Sequence, residues 1–156
     1  MTGNRSGFTL TEVMATSTIL IVLGTVAVSG FKSALPAYRL KAAARDLYSH
    51  MQMAKMTAIK NNTNCSITYG TTPDRYQSSA TGKVVMLSDY GRTIRFEGPQ
   101  GQTFAVSTIT FNPMGTCNAG YAYLSDEENT AYYRVGPWSS GIIKLHSYPS
   151  EEWPEQ

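Results

Sequence analysis

The sequence predicts an α+β fold in which a long N-terminal helix packs on an antiparallel β-sheet. Three observations lead there. An apolar run extends from Val13 to Val28, apolar residues then recur at three- and four-residue steps as far as Ala58, and from Asn64 the chain breaks into short strand-like segments. Glycine and asparagine separate those segments, as turn formers do.

The N-terminal segment comes first. As a helix, Phe8 to Phe31 would span about 36 Å, enough for a hydrocarbon core of ~30 Å. Glu12 is the anomaly, because an ionised carboxylate at mid-membrane costs roughly 2.5–3.5 kcal/mol and is usually kept for a specific partner. Three readings fit the residues. A secretory signal peptide would use Arg5 as its basic region and Ala27-Val28-Ser29 as its cleavage site, but Glu12 stands where positive charge belongs. An ordinary single-pass anchor accounts for the length and leaves Glu12 unexplained. In the third, the chain is cut after Gly7, and the new α-amine of Phe8 lies one helical turn from Glu12 as its partner. The divisions that follow are a leader over 1–7 and a membrane helix over 8–31.

Residues 32–62 read as an amphipathic stalk helix. Leu40, Ala43, Ala44, Leu47, Met51, Ala54 and Ala58 form one stripe, with Arg39, Lys41, Arg45, Asp46 and His50 on the other surfaces. Pro36 lacks an N–H and is expected to bend or open the helix. Gly24 and Gly30 each weaken it by roughly 1 kcal/mol relative to alanine, which fits close helix packing or local melting during assembly. Asn61-Asn62 ends the pattern.

The globular region, 63–147, contains seven expected strands: Cys65–Tyr69, Val84–Leu87, Thr93–Phe96, Ser107–Phe111, Tyr121–Leu124, Ala131–Val135 and Ile142–Leu145. Gly82, Gly91, Gly101, Gly115, Asn129 and Gly141 bound them, and Asp126-Glu127-Glu128-Asn129 reads as a polar hairpin loop. The tail, 148–156, carries two prolines, Trp153 and three glutamates without periodicity, and Trp153 has the character of a docking residue.

The 156 residues leave room for one modest domain beyond the apolar segment. A net charge of +2 argues against bulk electrostatic binding of nucleic acid while permitting a local basic patch. Cys65 and Cys117 match no zinc or thioredoxin spacing. Outside the cytoplasm they can pair, closing a loop worth roughly 4 kcal/mol; the alternative is two separate buried thiols. Export favours the disulfide. His50 and His146 belong to no metal or triad arrangement, and no phosphate-binding glycine loop is present, so neither catalytic nor metal-binding residues are assigned and no cofactor is expected.

Gly7-Phe8-Thr9-Leu10-Thr11-Glu12 resembles the prepilin peptidase site of type IV pilins and type II secretion pseudopilins, with Thr11 where an aliphatic residue is more usual. The resemblance implies cleavage between Gly7 and Phe8, N-methylation of Phe8, and assembly through Phe8 and Glu12. It also implies a single-pass bacterial inner-membrane protein with a periplasmic domain. Arg45-Asp46-Leu47, Ala54 to Asn62, Ile109-Thr110-Phe111-Asn112-Pro113-Met114-Gly115 and Ser140 to Lys144 resemble the GspH/FimT minor pilins and pseudopilins. That family implies a type IV pilin-like fold and no enzymatic activity. Its implied partners are other pilin or pseudopilin subunits, a prepilin peptidase, an inner-membrane assembly platform and the lipid bilayer. The implied role is a minor subunit of a type II secretion pseudopilus, or of a type IV pilus tip or initiation complex.

Some relatives with this fold capture DNA through a Gly-Arg-x-Arg motif in the closing strand. Here the corresponding residues are Gly141-Ile142-Ile143-Lys144, so only Lys144 would remain as a DNA contact, and an acidic tail follows. Nonspecific affinity comes largely from neutralised phosphates, so the DNA-uptake role stays the alternative.

Overall fold

A computed structural model describes residues 7–127 and 129–148, and within that range the side chains of 26–33 and 129–130 fall outside the description. Most of the leader and the tail from Pro149 onward also lie outside the described residues. The chain forms two compact units, Met1–Leu35 and Pro36–Gln156.

Helix α1 runs Leu10–Asn61 and contains Pro36. In the first unit, Ile19 to Leu23 are five consecutive apolar residues, each between 57% and 68% exposed. At about 100° per residue these five cover the full helix circumference. Thr16, Ser17, Thr18 and Thr25, all exposed, donate their hydroxyls to carbonyls three or four residues back, which satisfies those donors within the helix. The expected membrane span runs into residues 26–33, outside the side-chain description. Among the described residues no helix is long and apolar enough to cross a membrane.

In the second unit, the stripe from Leu40 to Ala58 is fully buried at all seven positions. Four of the seven are alanines, which leave little bulk between the α1 backbone and the sheets. The helix closes on a left-handed Asn62 (φ 52°), with Thr63 N–H donating to Ala58 and Asn62 N–H to Ile59. These paired bonds satisfy the last helical carbonyls.

Eight strands follow: β1 Cys65–Thr71, β2 Asp74–Ser78, β3 Val84–Met86, β4 Ile94–Arg95, β5 Thr108–Phe111, β6 Ala122–Asp126, β7 Asn129–Pro137 and β8 Ile143–Tyr148. The expected antiparallel sheet is in fact two four-stranded sheets, ordered β3-β2-β1-β5 and β4-β6-β7-β8, and every pairing is antiparallel. Strand β1 alternates as expected, with Cys65, Ile67 and Tyr69 buried and Thr68 exposed. Strand β2 was not expected, because Asp74-Arg75-Tyr76-Gln77-Ser78 is polar; Tyr76 and Ser78 are nevertheless buried. Leu87 leaves the expected strand for a short 3₁₀ helix, Leu87–Asp89.

The expected disulfide is corrected: Cys65 and Cys117 are buried free thiols. Phe111 explains why. It pairs with Cys65 on one edge of β5 and bridges Cys117 on the other. Two interstrand steps put the cysteine Cα atoms about 10 Å apart, beyond the ~4.4–6.8 Å that a disulfide usually spans.

Candidate functional site

The start of α1 is built from Phe8 to Glu12. Phe8 is 83% exposed, and Thr9 sits immediately before the first helical residue. The Thr9 carbonyl accepts from Glu12 N–H at 3.1 Å and from Val13 N–H at 3.2 Å, while the Thr9 hydroxyl also accepts from Glu12 N–H at 3.3 Å. Thr9 is therefore the N-cap, and Glu12 occupies the third helical position, where a carboxylate complements the positive end of the helix dipole. The Thr-x-x-Glu spacing announces this cap, although the sequence reading used Glu12 only as an assembly residue. Gly7, Phe8 and Glu12 thus lie together at an accessible helix start, with an exposed apolar surface immediately behind them.

A second cluster ties α1 to the sheets. Asp46 accepts hydrogen bonds from Tyr76 Oη at 2.7 Å and Tyr90 Oη at 2.6 Å, and His50 Nε2 lies 3.5 Å away one turn along. Burial raises the Asp46 pKa, but the two tyrosine hydrogen bonds and the charge of His50 outweigh it, so the carboxyl stays below its ordinary value. Burial and the adjacent carboxylate both push the Tyr76 and Tyr90 hydroxyls up. The His50 ring meets Tyr76 edge-on at 5.5 Å. The two hydrogen bonds tie Asp46 of α1 to Tyr76 of β2 and to Tyr90, and so hold the helix against β2. Among the described residues no group of histidines, cysteines or carboxylates is placed to hold a metal. The sequence showed Asp46 and His50 at helical spacing, but nothing in it signalled the two tyrosines.

The turn Asn112–Gly115 packs beneath the end of α1. Gly115 N–H donates to Asn112 O at 2.9 Å, and Lys55 Nζ donates to Gly141 O at 3.0 Å. A Cβ on Gly141 would lie 1.8 Å from Gly115 O. The Phe111 to Gly115 turn and the closing hairpin are therefore locked backbone to backbone.

Lys144 is exposed on β8, with its Nζ 5.2 Å from the Trp138 ring centroid. It lines a groove of about 510 Å³ with Arg45, Tyr48, Ile143, Leu145 and His146. Arg95, in the stretch Gly91-Arg92-Thr93-Ile94-Arg95, pairs with Glu127. The basic side chains are thus spread over separate elements and partly neutralised, not arrayed along one phosphate track.

A family model described as type II transport protein GspH matches residues 43–137. That span takes in the α1 stripe from Ala43 onward, strands β1 to β7 and the Asn112–Gly115 turn, and stops at the last residue of β7. Comparisons with curated proteins and with solved structures found no match. The match covers more than half of the chain and agrees with the helix-then-sheet order. The chain belongs to the GspH family, the structural pseudopilins of type II secretion.

Proposed function

We propose that this chain is a minor pseudopilin or pilin subunit that assembles through α1 into a type II secretion pseudopilus, or into the tip or initiation complex of a type IV pilus. The observation that carries the proposal is the single carboxylate, Glu12, in the first turn of a helix that exposes five consecutive apolar residues, Ile19 to Leu23, two turns further on. A prepilin peptidase cuts between Gly7 and Phe8, and Phe8 is then N-methylated. The segment 8–31 holds the subunit in the bacterial inner membrane with the β-domain in the periplasm, where it meets the assembly platform and other subunits. On assembly, the Phe8 amine of an incoming subunit neutralises the Glu12 carboxylate of a neighbour. The pairing removes two charges from lipid, each costing a few kcal/mol there.

The test is Glu12→Gln in the native secretion or pilus system. The variant is expected to be processed and membrane-inserted at wild-type levels yet absent from sheared or cross-linked filaments. Normal incorporation would sink the proposal. N-terminal sequencing of the mature chain gives the second readout: a start at methylated Phe8 is expected, and a start at Gly30 would identify a conventional signal peptide instead.

A further inference from the structure

Three stretches of chain build the end of the second unit where α1 stops: the last turns of α1, the Asn112–Gly115 turn, and the hairpin between β7 and β8. The backbone contact between Gly115 and Gly141 joins the turn to the hairpin, and a Cβ on Gly115 would lie 3.2 Å from Ile59 Cδ1. Around that contact Ile59, Met114, Trp138 and Ile142 are all exposed. Met114 is 90% exposed and Ile142 57%, so both project into solvent from tight turns. Apolar residues scattered singly over a surface need no explanation, whereas a group gathered at one end marks an interaction site.

Charge at this end is one-sided. Lys55 Nζ donates to Gly141 O at 3.0 Å, Lys60 follows Ile59 and is exposed, and Lys144 Nζ lies 5.2 Å from the Trp138 ring centroid. Residues 47–73, 98–125 and 129–150, which supply all of these side chains, contain no aspartate or glutamate. The tips also pair their own backbone. Asn112 N–H donates to Thr116 O at 2.8 Å, and Gly115 N–H donates to Asn112 O at 2.9 Å. In the hairpin, Gly141 N–H donates to Trp138 O at 2.7 Å and Trp138 N–H to Ile142 O at 3.0 Å. Donors paired in this way can leave water without being stranded.

An apolar surface ringed by lysines suits an acidic protein or an anionic bilayer, and the geometry favours the bilayer. A protein would have to supply a separate pocket for each projecting tip, whereas a bilayer accepts them all. Tryptophan beside lysine is the pairing of membrane interfaces: the ring sits at headgroup level, and the lysine stem follows apolar surface while its ammonium stays in water. Because turn and hairpin are joined backbone to backbone, they meet such a surface already ordered.

We propose that this end of the β-domain docks on an anionic lipid surface, with Met114, Trp138 and Ile142 entering the boundary between headgroups and acyl chains and Lys60 and Lys144 meeting lipid phosphates. Pro36 to Asn61 is about 39 Å of helix, so the patch stands at the far end of its unit from residue 35. We assign it a lipid surface other than the bilayer proposed for residues 8–31. The docking is independent of assembly through Glu12.

The test uses the full chain carrying Trp153→Phe, which leaves Trp138 as the single tryptophan, held in nanodiscs of phosphatidylcholine. Vesicles of roughly two parts brominated phosphatidylcholine to one part phosphatidylglycerol are added, so that only lipid outside the disc carries the quencher. Trp138 emission is expected to shift to the blue and be quenched by these vesicles, and to be unaffected by vesicles of brominated phosphatidylcholine alone. Lys60→Gln and Lys144→Gln should each weaken vesicle binding roughly fivefold. Ile142→Glu and Met114→Glu, both at exposed positions, should each abolish quenching and leave the thermal midpoint unchanged. Absence of quenching by the anionic vesicles would overturn the proposal and leave an acidic protein as the partner. Equal quenching by charged and neutral vesicles would overturn it too, as would quenching that survives both glutamate substitutions.

Discussion

Replacing Gly141 by alanine strikes the contact that joins the closing hairpin to the turn below α1. Two costs arise. Gly141 has φ +76°, where an L-residue loses roughly 1–2 kcal/mol. The new Cβ would also lie 1.8 Å from Gly115 O, with Gly115 C at 3.0 Å and Thr116 Cα at 3.5 Å. Because the obstacle is backbone, one strand of contact has to move, at a further ~1–3 kcal/mol. The sum, about 2–5 kcal/mol, threatens a large part of the stability of a modest domain. Gly82→Ala is the control, since Gly82 has φ +68° but nothing within 4 Å of the position its Cβ would take, so it bears only the backbone cost. In thermal unfolding followed by near-UV circular dichroism, Gly82→Ala should lower the midpoint by a few degrees. Gly141→Ala should lower it two to three times as far, at about 4 °C per kcal/mol for a domain of this size. Equal shifts would refute the close-approach argument and leave only backbone conformation to explain both.

Two further outcomes are expected. Because the Asp46 pKa is lower in the folded chain than near 3.8, its ionised form adds stability that is present above that value and lost as pH falls through the folded pKa. Wild type should therefore lose stability more steeply than Asp46→Asn between pH 6 and pH 3, and parallel denaturation curves would contradict the tyrosine-bonded carboxylate. Since Cys65 and Cys117 are unpaired and buried, a reducing agent should leave the unfolding midpoint unchanged, and iodoacetamide should label both thiols only after unfolding. A disulfide would instead reveal itself as a loss of about 4 kcal/mol on reduction.

Much of the architecture was legible because its causes are local. The α1 stripe repeats with the helical period, and all seven of its members are buried. Gly115 and Gly141 mark turns because their backbones enter a region that other residues resist, and Asn62 ends the helix for the same reason. The β2 strand was hidden because Tyr76 is buried by a partner thirty residues away in sequence, the Asp46 carboxylate, and no period announces such a contact. Thr93–Phe96 shrank to the two-residue β4, since strand ends depend on which neighbour is present to pair.

The candidate site divides the same way. Gly7, Phe8 and Glu12 stand in one stretch of chain, and their arrangement at a helix start follows from spacing alone. Cysteine identity likewise fixed that two thiols exist and how long a loop they would close. Only the fold decided that Phe111 stands between them. In the same way, Ile142-Ile143-Lys144-Leu145 announced a strand, but only the sheet order placed it at the end of the β4-β6-β7-β8 sheet. Periodicity, caps and turns act over a few residues and can be read in sequence. Strand order, edge exposure and cysteine separation depend on pairings between distant segments, whose closure is an entropy cost met only by the assembled core.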